Sequence, residues 1–310
     1  MRKIRGIVFF VAGALLLGAL PMPALATNDP PSSGGNVTGD WTVTDTRSYT
    51  GVTINVAGNL IVQSGGRLML SGVNLHINSA SAGSPYRIEV QSGGKLYTDS
   101  GTKIMTSTAY NFKFMFLAGS TGSLASTTTS KIGVLGNEFG RGVYIGSDNV
   151  RFDNCTVQNG YDGVHINSSA PTILNSTFKD CQYYGMYIEK AQPLVDNCTF
   201  QNNGHYGGTQ GLYAEETYSA VRTCRISNCT IRDNEHGAYL NTNATVLFEN
   251  NTITNSTVRG LMLRLCAPTV RLNNITQNKE HGIFMEQSNA LIERNRITAN
   301  GQNSQLSAGI

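Results

Sequence analysis

Seven glycines at 142, 163, 185, 211, 237, 260 and 282 each open a short strand-like run, at intervals of 21, 22, 26, 26, 23 and 22 residues, and Gly309 begins another 27 residues on. A period in this range means that each unit is one small coil, stacked on its neighbours because it cannot bury its own apolar face. The position after the glycine reads Val143, Val164, Met186, Leu212, Ala238, Leu261 and Ile283. Two further along it reads Ile145, Ile166, Ile188, Ala214, Leu240, Leu263 and Met285. Both columns are apolar and two apart, so both point to one side of a strand.

Two later apolar columns complete each unit. One is Phe152, Ile173, Val195, Ile226, Phe248, Val270 and Ile292; the other is Val157, Phe178, Phe200, Ile231, Ile253, Ile275 and Ile297. Between them one position holds Cys155, Ser176, Cys198, Cys229, Asn251, Asn273 and Asn295, and Asn159, Asp180, Asn202, Asp233 and Asn255 follow the second column. Asparagine and aspartate suit bends because they tolerate left-handed backbone. Three short strands per turn of about 22 residues, with bends between, predict an all-β solenoid of about ten coils. Helical solenoids need longer periods and a 3.6-residue pattern, which is missing. Upstream, Ser64-Gly65-Gly66-Arg67-Leu68 recurs as Ser92-Gly93-Gly94-Lys95-Leu96, and more loosely as Ser120-Thr121-Gly122-Ser123-Leu124, 28 residues apart each time.

These units, G-x-[YH]-[IL] … N-[CS]-T-[FVI]-x-[ND], resemble the right-handed parallel β-helix repeats of the pectin-lyase-like superfamily. The opening V-Q-S-G-G-x-L coils are similar to the first turns of secreted and archaeal cell-surface members. The resemblance covers roughly residues 42–310 and implies a right-handed parallel β-helix. That architecture hosts lyases, hydrolases, epimerases, adhesins and surface-layer proteins, so it specifies fold strongly and activity weakly.

Residues 1–26 carry a basic start (Arg2, Lys3, Arg5), an apolar run from Ile7 to Leu20 and the small-residue end Ala24-Leu25-Ala26. This order predicts a secretory signal peptide cleaved after Ala26. The apolar run is shorter than the about 20 residues of a membrane span, and no second one follows. The expected division is a signal peptide at 1–26, a linker at 27–41 and the β-helix at 42–310. Within it, residues 42–130 form coils of period 28 and 131–310 coils of about 22–27. The chain stops one step into a new coil, so a longer natural protein, or a partner or further domain over that end, is expected.

Charged residues make up 14% of the chain, against about 25% in typical globular proteins. Without the three basic residues of the leader the net charge of +3 falls to zero. No electrostatic footprint for nucleic acid remains. The five histidines fall in different columns or several rungs apart, so neither a metal site nor a cofactor is expected. The same lack of a metal cluster tells against a β-helix family accessory to copper-enzyme maturation. Cys155, Cys198 and Cys229 share an inward column with Ser and Asn and read as small buried residues. A Cys198–Cys229 bond would be strained by their parallel Cβ directions. Of ten N-x-[ST] sequons, Asn154, Asn175, Asn197, Asn228 and Asn250 form one column, where stacked glycans would collide; Asn36 is the sterically safest.

Between the two inward columns of the first strand lie Tyr144, His165, Tyr187, Tyr213, Tyr239, Met262 and Phe284, which the alternation points to solvent. The next outward position holds Gly146, Asn167, Glu189, Glu215, Asn241, Arg264 and Glu286. An aromatic stripe bordered by acids is a track for polysaccharide, since flat apolar faces stack on sugar rings and carboxylates accept hydroxyl hydrogen bonds. The same stripe also reads as cross-strand ladder packing or as a face covered by another protein. Two insertions, Gly204-His205-Tyr206-Gly207-Gly208 and Glu215-Glu216-Thr217-Tyr218, would bring His205, Tyr206, Glu215, Glu216 and Tyr218 near Tyr187, Glu189 and Tyr213.

The expected function is therefore a secreted or cell-surface β-helix protein with a non-catalytic structural or binding role. It would contact polysaccharide or surface glycan through Tyr144, Tyr187, Tyr206, Tyr213, Tyr239 and Phe284. The alternative is a carbohydrate-active enzyme, whether polysaccharide lyase, C5-epimerase or glycoside hydrolase. Its candidate catalytic residues are Asp162, His165, Glu189, Glu215 and His205, with Arg141 or Arg259 to neutralise a uronate. The resembled hydrolases' Asn-Thr-Asp, Asp-Asp and Gly-His-Gly signatures and the clustered aspartates of the calcium-dependent lyases are not found.

Overall fold

The structure, a computed structural model, describes residues 28–134, 140–215, 223–241 and 245–301. Among these every regular element is a β-strand. The strands form three parallel sheets, visited in rotation by the chain. Sheet I has 12 strands, from Gly35–Thr38 to Arg296–Thr298; sheet II has 11, from Trp41–Val43 to Ile283–Glu286; sheet III has 11, from Thr46–Thr50 to Leu291–Glu293. Over the described residues this is a β-solenoid of about eleven turns, against the ten or so read from the repeat.

The extra turn lies at the start. The stretch read as a linker contains the strand Gly35–Thr38, which pairs in parallel with Thr53–Ala57. Residues just before it lie over the first rung. Asp29 accepts hydrogen bonds from the indole nitrogen of Trp41 and from Nε of Arg47, both at 2.8 Å, and the Tyr49 hydroxyl donates to the Pro30 carbonyl. Pro, Gly and Ser mark irregular backbone, but here that backbone shields Trp41, which is fully buried.

The apolar columns stack in register. Val164, Met186, Leu212, Ala238, Leu261 and Ile283 pair in succession in sheet II. Ile173 to Ile292 do so in sheet III and Val157 to Ile297 in sheet I. Strand separation of about 4.8 Å puts equivalent side chains in van der Waals contact; the rings of Phe178 and Phe200 stack 5.2 Å apart. In the last rung the inward Ile292 and Ile297 are only half-buried and Met285 is exposed.

One upstream alignment is corrected. Leu96 pairs with Gly122 and Thr98 with Leu124, so the third recurrence is shifted by two residues and the coils are not of uniform period 28: the paired positions Thr46, Arg67, Lys95 and Thr121 are spaced unequally. A Cβ on Gly122 would lie 2.5 Å from the Phe116 ring. The phenylalanine of the adjoining sheet fills the place a leucine holds one rung earlier.

The bends are satisfied by side chains. Asn154, Asn175, Asn197, Asn228 and Asn250 all have φ between 50° and 55°, and each amide donates to a side chain of the preceding rung, Asn197 Nδ2 to Asn175 Oδ1 at 2.8 Å and Asn175 Nδ2 to Asp153 Oδ1 at 2.7 Å. Inside the corner, Asn273 Nδ2 donates to the Phe248 carbonyl at 3.0 Å and Asn273 Oδ1 accepts the Asn251 N–H at 2.8 Å. Each inward Asn thus closes backbone groups that the turn takes out of the ladders. All six cysteines are buried; burial pushes the thiols of Cys181 and Cys224 up to about 12.

The repeated glycines have a steric origin. A Cβ on Gly163 would lie 2.3 Å from the Gly185 carbonyl oxygen, one rung away. No side chain fits where the chain enters sheet II.

Candidate functional site

The outward column of sheet II stands in register from Tyr144 to Phe284, and its rings therefore meet. His165 and Tyr187 stack with centroids 4.6 Å apart, Tyr187 and Tyr213 at 5.4 Å and Tyr213 and Tyr239 at 5.0 Å. Tyr144 meets His165 edge-on at 5.6 Å. In the stacked run the ring faces are turned to one another, and the edges border solvent.

Two members do not point freely to water. Tyr144 is 7% exposed and His165 only 2%. The Tyr144 ring lies down over Gly146, where a Cβ would be 3.0 Å from it, and its neighbours close over the imidazole. Tyr187, Tyr213, Tyr239, Met262 and Phe284 are half-buried. Phe284 carries the guanidinium of Arg259 at 4.2 Å and the ring of His281 at 5.3 Å.

The acids beside the column are engaged with it. Glu189 accepts from Asn167 Nδ2 at 2.6 Å and faces His165 Nε2 at 3.1 Å. Glu215 accepts the hydroxyls of Tyr187 and Tyr213, the latter at 2.5 Å. Burial, and then the bond to this carboxylate, hold both phenols well above their ordinary range.

Asp162 lies beneath this face, with a wholly buried side chain 3.3 Å from Arg141 Nε. It accepts the Tyr184 backbone N–H, and burial pushes its carboxyl up to about 6. Of the remaining candidates, His205 is exposed and lines a shallow depression with Asn202, Asp233, Glu235 and Thr257; it is not brought together with the acids of sheet II. Glu216 and Tyr218 lie outside the described residues. Burial lowers the pKa of His236. Among the described residues no three His, Cys, Asp or Glu side chains converge on a point that could hold a metal.

A second aromatic row, missed from the sequence, runs along the corner between sheets I and II. Tyr161 and Tyr183 stack at 6.1 Å, and Tyr183 and Tyr206 at 5.2 Å with planes 10° apart. The Tyr183 N–H donates to the Tyr161 carbonyl, and His205 N–H to Gln182, so Tyr206 succeeds Tyr183 in the rungs. The three lie two, three and four residues past Asn159, Asp180 and Asn202, so no fixed spacing marks them as one row. Tyr184 joins the rows, 5.5 Å from Tyr187 and 5.3 Å from Tyr213. The Arg141 guanidinium lies over Tyr183 at 4.9 Å and Tyr184 at 5.5 Å. The result is one aromatic surface centred on a cation. Tyr206, 58% exposed, has one ring face held by Tyr183 and no other ring neighbour among the described residues.

The sequence matches the family described as right handed beta helix region over residues 54–220, 116–264 and 210–310. The chain belongs to that family. Among solved structures, this β-helix protein is similar to a variant of the periplasmic alginate epimerase AlgG (TM-score 0.63, 14% identity, covering 82% of this chain and 64% of that one). It is also similar to the AlgG epimerase itself (0.52, 14%, 78% and 61%) and to PfbA, a surface adhesin of Streptococcus pneumoniae (0.48, 13%, 88% and 85%). The chain spans 64% of the length of the AlgG variant. A comparison with curated protein sequences returned no match. At 14% identity the likeness to AlgG is one of fold.

Proposed function

We propose that this protein is exported and binds a polysaccharide without altering it, along the aromatic surface that joins sheet II to the corner row. Tyr206 carries the reading: its ring is stacked on one side by Tyr183, has no ring on the other among the described residues, and is 58% exposed. A rigid, one-sided aromatic face is what a sugar ring stacks against, because little conformational entropy is lost on contact. Arg141 adds donors to the middle of the patch: its Nε faces Asp162, while its terminal nitrogens have no acceptor among the described residues. The edges of Tyr187, Tyr213 and Tyr239, with Glu189 and Glu215, give further hydroxyl contacts. Phe284, three rungs beyond Tyr213, extends the track. Tyr144 is buried and contributes support to the stack.

A catalytic role has less to work with. A general base must come within hydrogen-bond reach of its substrate proton, and His165 and Asp162 are both closed off. The reading also takes residues 1–26 as an export signal. No helix among the described residues is long and apolar enough to cross a membrane.

Affinity electrophoresis in gels containing alginate, pectate or a neutral mannan tests the reading. Wild-type protein is retarded by at least one polymer, Tyr206→Ala loses most of that retardation, and Arg141→Lys, which keeps the charge beside Asp162 but not the planar fork, weakens it. Unchanged mobility of Tyr206→Ala, or release of unsaturated or epimerised uronate from the polymer by wild-type protein, would overturn it.

A further inference from the structure

At one end of the corner row, the turns between sheets I and II border a half-open pocket of about 220 Å³ lined in part by Tyr110, Asn111, Gly133, Val134, Tyr161 and Gln182. We propose that this pocket binds a single uncharged sugar ring.

Its chemistry is that of a neutral polyol site. Two phenol rings supply apolar faces and hydroxyls. Two carboxamides supply both donors and acceptors, the complement of a sugar hydroxyl. Asn111 Nδ2 is fixed by the Gly133 carbonyl at 3.0 Å, which locks the amide and leaves Oδ1 to accept. The side-chain amide of Gln182 and the hydroxyls of Tyr110 and Tyr161 have no partner among the described residues, yet Gln182 and Tyr161 are half-buried. These groups are free to bond the hydroxyls of a ligand.

Charge and size narrow the ligand. Among the described residues, no ionisable acid or base other than the two phenols lines the pocket. The Lys131 ammonium is turned to the Thr108 carbonyl at 3.4 Å. A carboxylate or phosphate would meet no cation among the described residues of the lining. The volume lies below the about 300 Å³ at which pockets for drug-sized ligands begin, which suits one ring. Gly133 is fixed in the lining by close backbone packing: its φ is 95°, and a Cβ there would lie 1.8 Å from the Arg141 carbonyl oxygen.

The inference is independent of polymer binding at Tyr206, although Tyr161 touches both the pocket and the corner row. Titration of glucose, galactose, mannose, N-acetylglucosamine and glucuronate into protein carrying isotope-labelled tyrosine rings tests it. At least one neutral sugar shifts the Tyr110 and Tyr161 resonances, glucuronate binds at least tenfold more weakly, and Gln182→Ala and Tyr110→Ala each weaken binding tenfold at unchanged melting temperature. Tyr206→Ala leaves this binding intact, which separates the pocket from the polymer track. Absence of ring shifts with every neutral sugar, equal binding of glucuronate, or undiminished binding in both pocket variants overturns the proposal.

Discussion

Arg141 Nε lies 3.3 Å from Asp162 Oδ2, while the Arg141 guanidinium packs against the rings of Tyr183 and Tyr184. The arginine is part-exposed and the carboxylate has no access to water, so the pair couples the aromatic surface to the interior. Burial outweighs the guanidinium's attraction and raises the folded-state pKa of Asp162 to about 6.

A carboxyl whose pKa is higher folded than unfolded stabilises the fold when protonated. That contribution is complete below the unfolded value of about 3.9 and is lost as pH rises through about 6, at a cost of about 3 kcal/mol across the interval. Urea denaturation of wild type and Asp162→Asn between pH 4 and 7 should therefore diverge: the wild type loses stability relative to the variant as pH rises. Parallel curves would refute the assignment.

Asn273 is 1% exposed and holds the Phe248 carbonyl, Asn295 Oδ1 and the Asn251 N–H. Asn273→Ala strands buried backbone groups, each costing about 1–3 kcal/mol, and the midpoint of urea unfolding should fall accordingly. Asn273→Ser should recover part of the loss, because Ser176 in the same column accepts the Cys155 N–H at 3.1 Å.

Leu272 occupies the bend position that earlier rungs fill with Asn, at φ 58° and 50% exposed. A leucine in left-handed backbone costs roughly 1–2 kcal/mol, and its side chain gains little burial in return. Leu272→Asn should raise stability by about 1 kcal/mol, measured as a higher denaturation midpoint at constant slope. A lower midpoint would show that the apolar contact outweighs the backbone strain.

Glu215 accepts two phenol hydroxyls, and with burial it keeps them protonated. Ultraviolet titration should show Tyr187 and Tyr213 silent in native protein until alkaline unfolding. In Glu215→Gln the two phenolates should form at lower pH before unfolding, since the negative neighbour is gone while a hydrogen-bonding amide remains. Identical titration curves would place the control elsewhere.

Much of this molecule is set by local spacing. The glycine interval, the three apolar columns and the Asn and Asp bends determine the stacking of Val164 on Met186 and Leu212, because strand alternation and backbone hydrogen bonding act over a few residues and repeat in every rung. The left-handed φ of Asn175 and Asn197 follows from the same local chemistry. Other features depend on what a neighbouring rung or sheet places nearby. That the segment before Trp41 is a cover and not a linker depends on Asp29 reaching Trp41 and Arg47; that Gly122 stands over Leu96 depends on the Phe116 ring arriving from another sheet. The burial of His165 and Tyr144, and the row Tyr161–Tyr183–Tyr206, were likewise decided by packing. A one-dimensional pattern tells which side of a strand a residue takes; how much water remains on that side is fixed by residues the pattern does not connect.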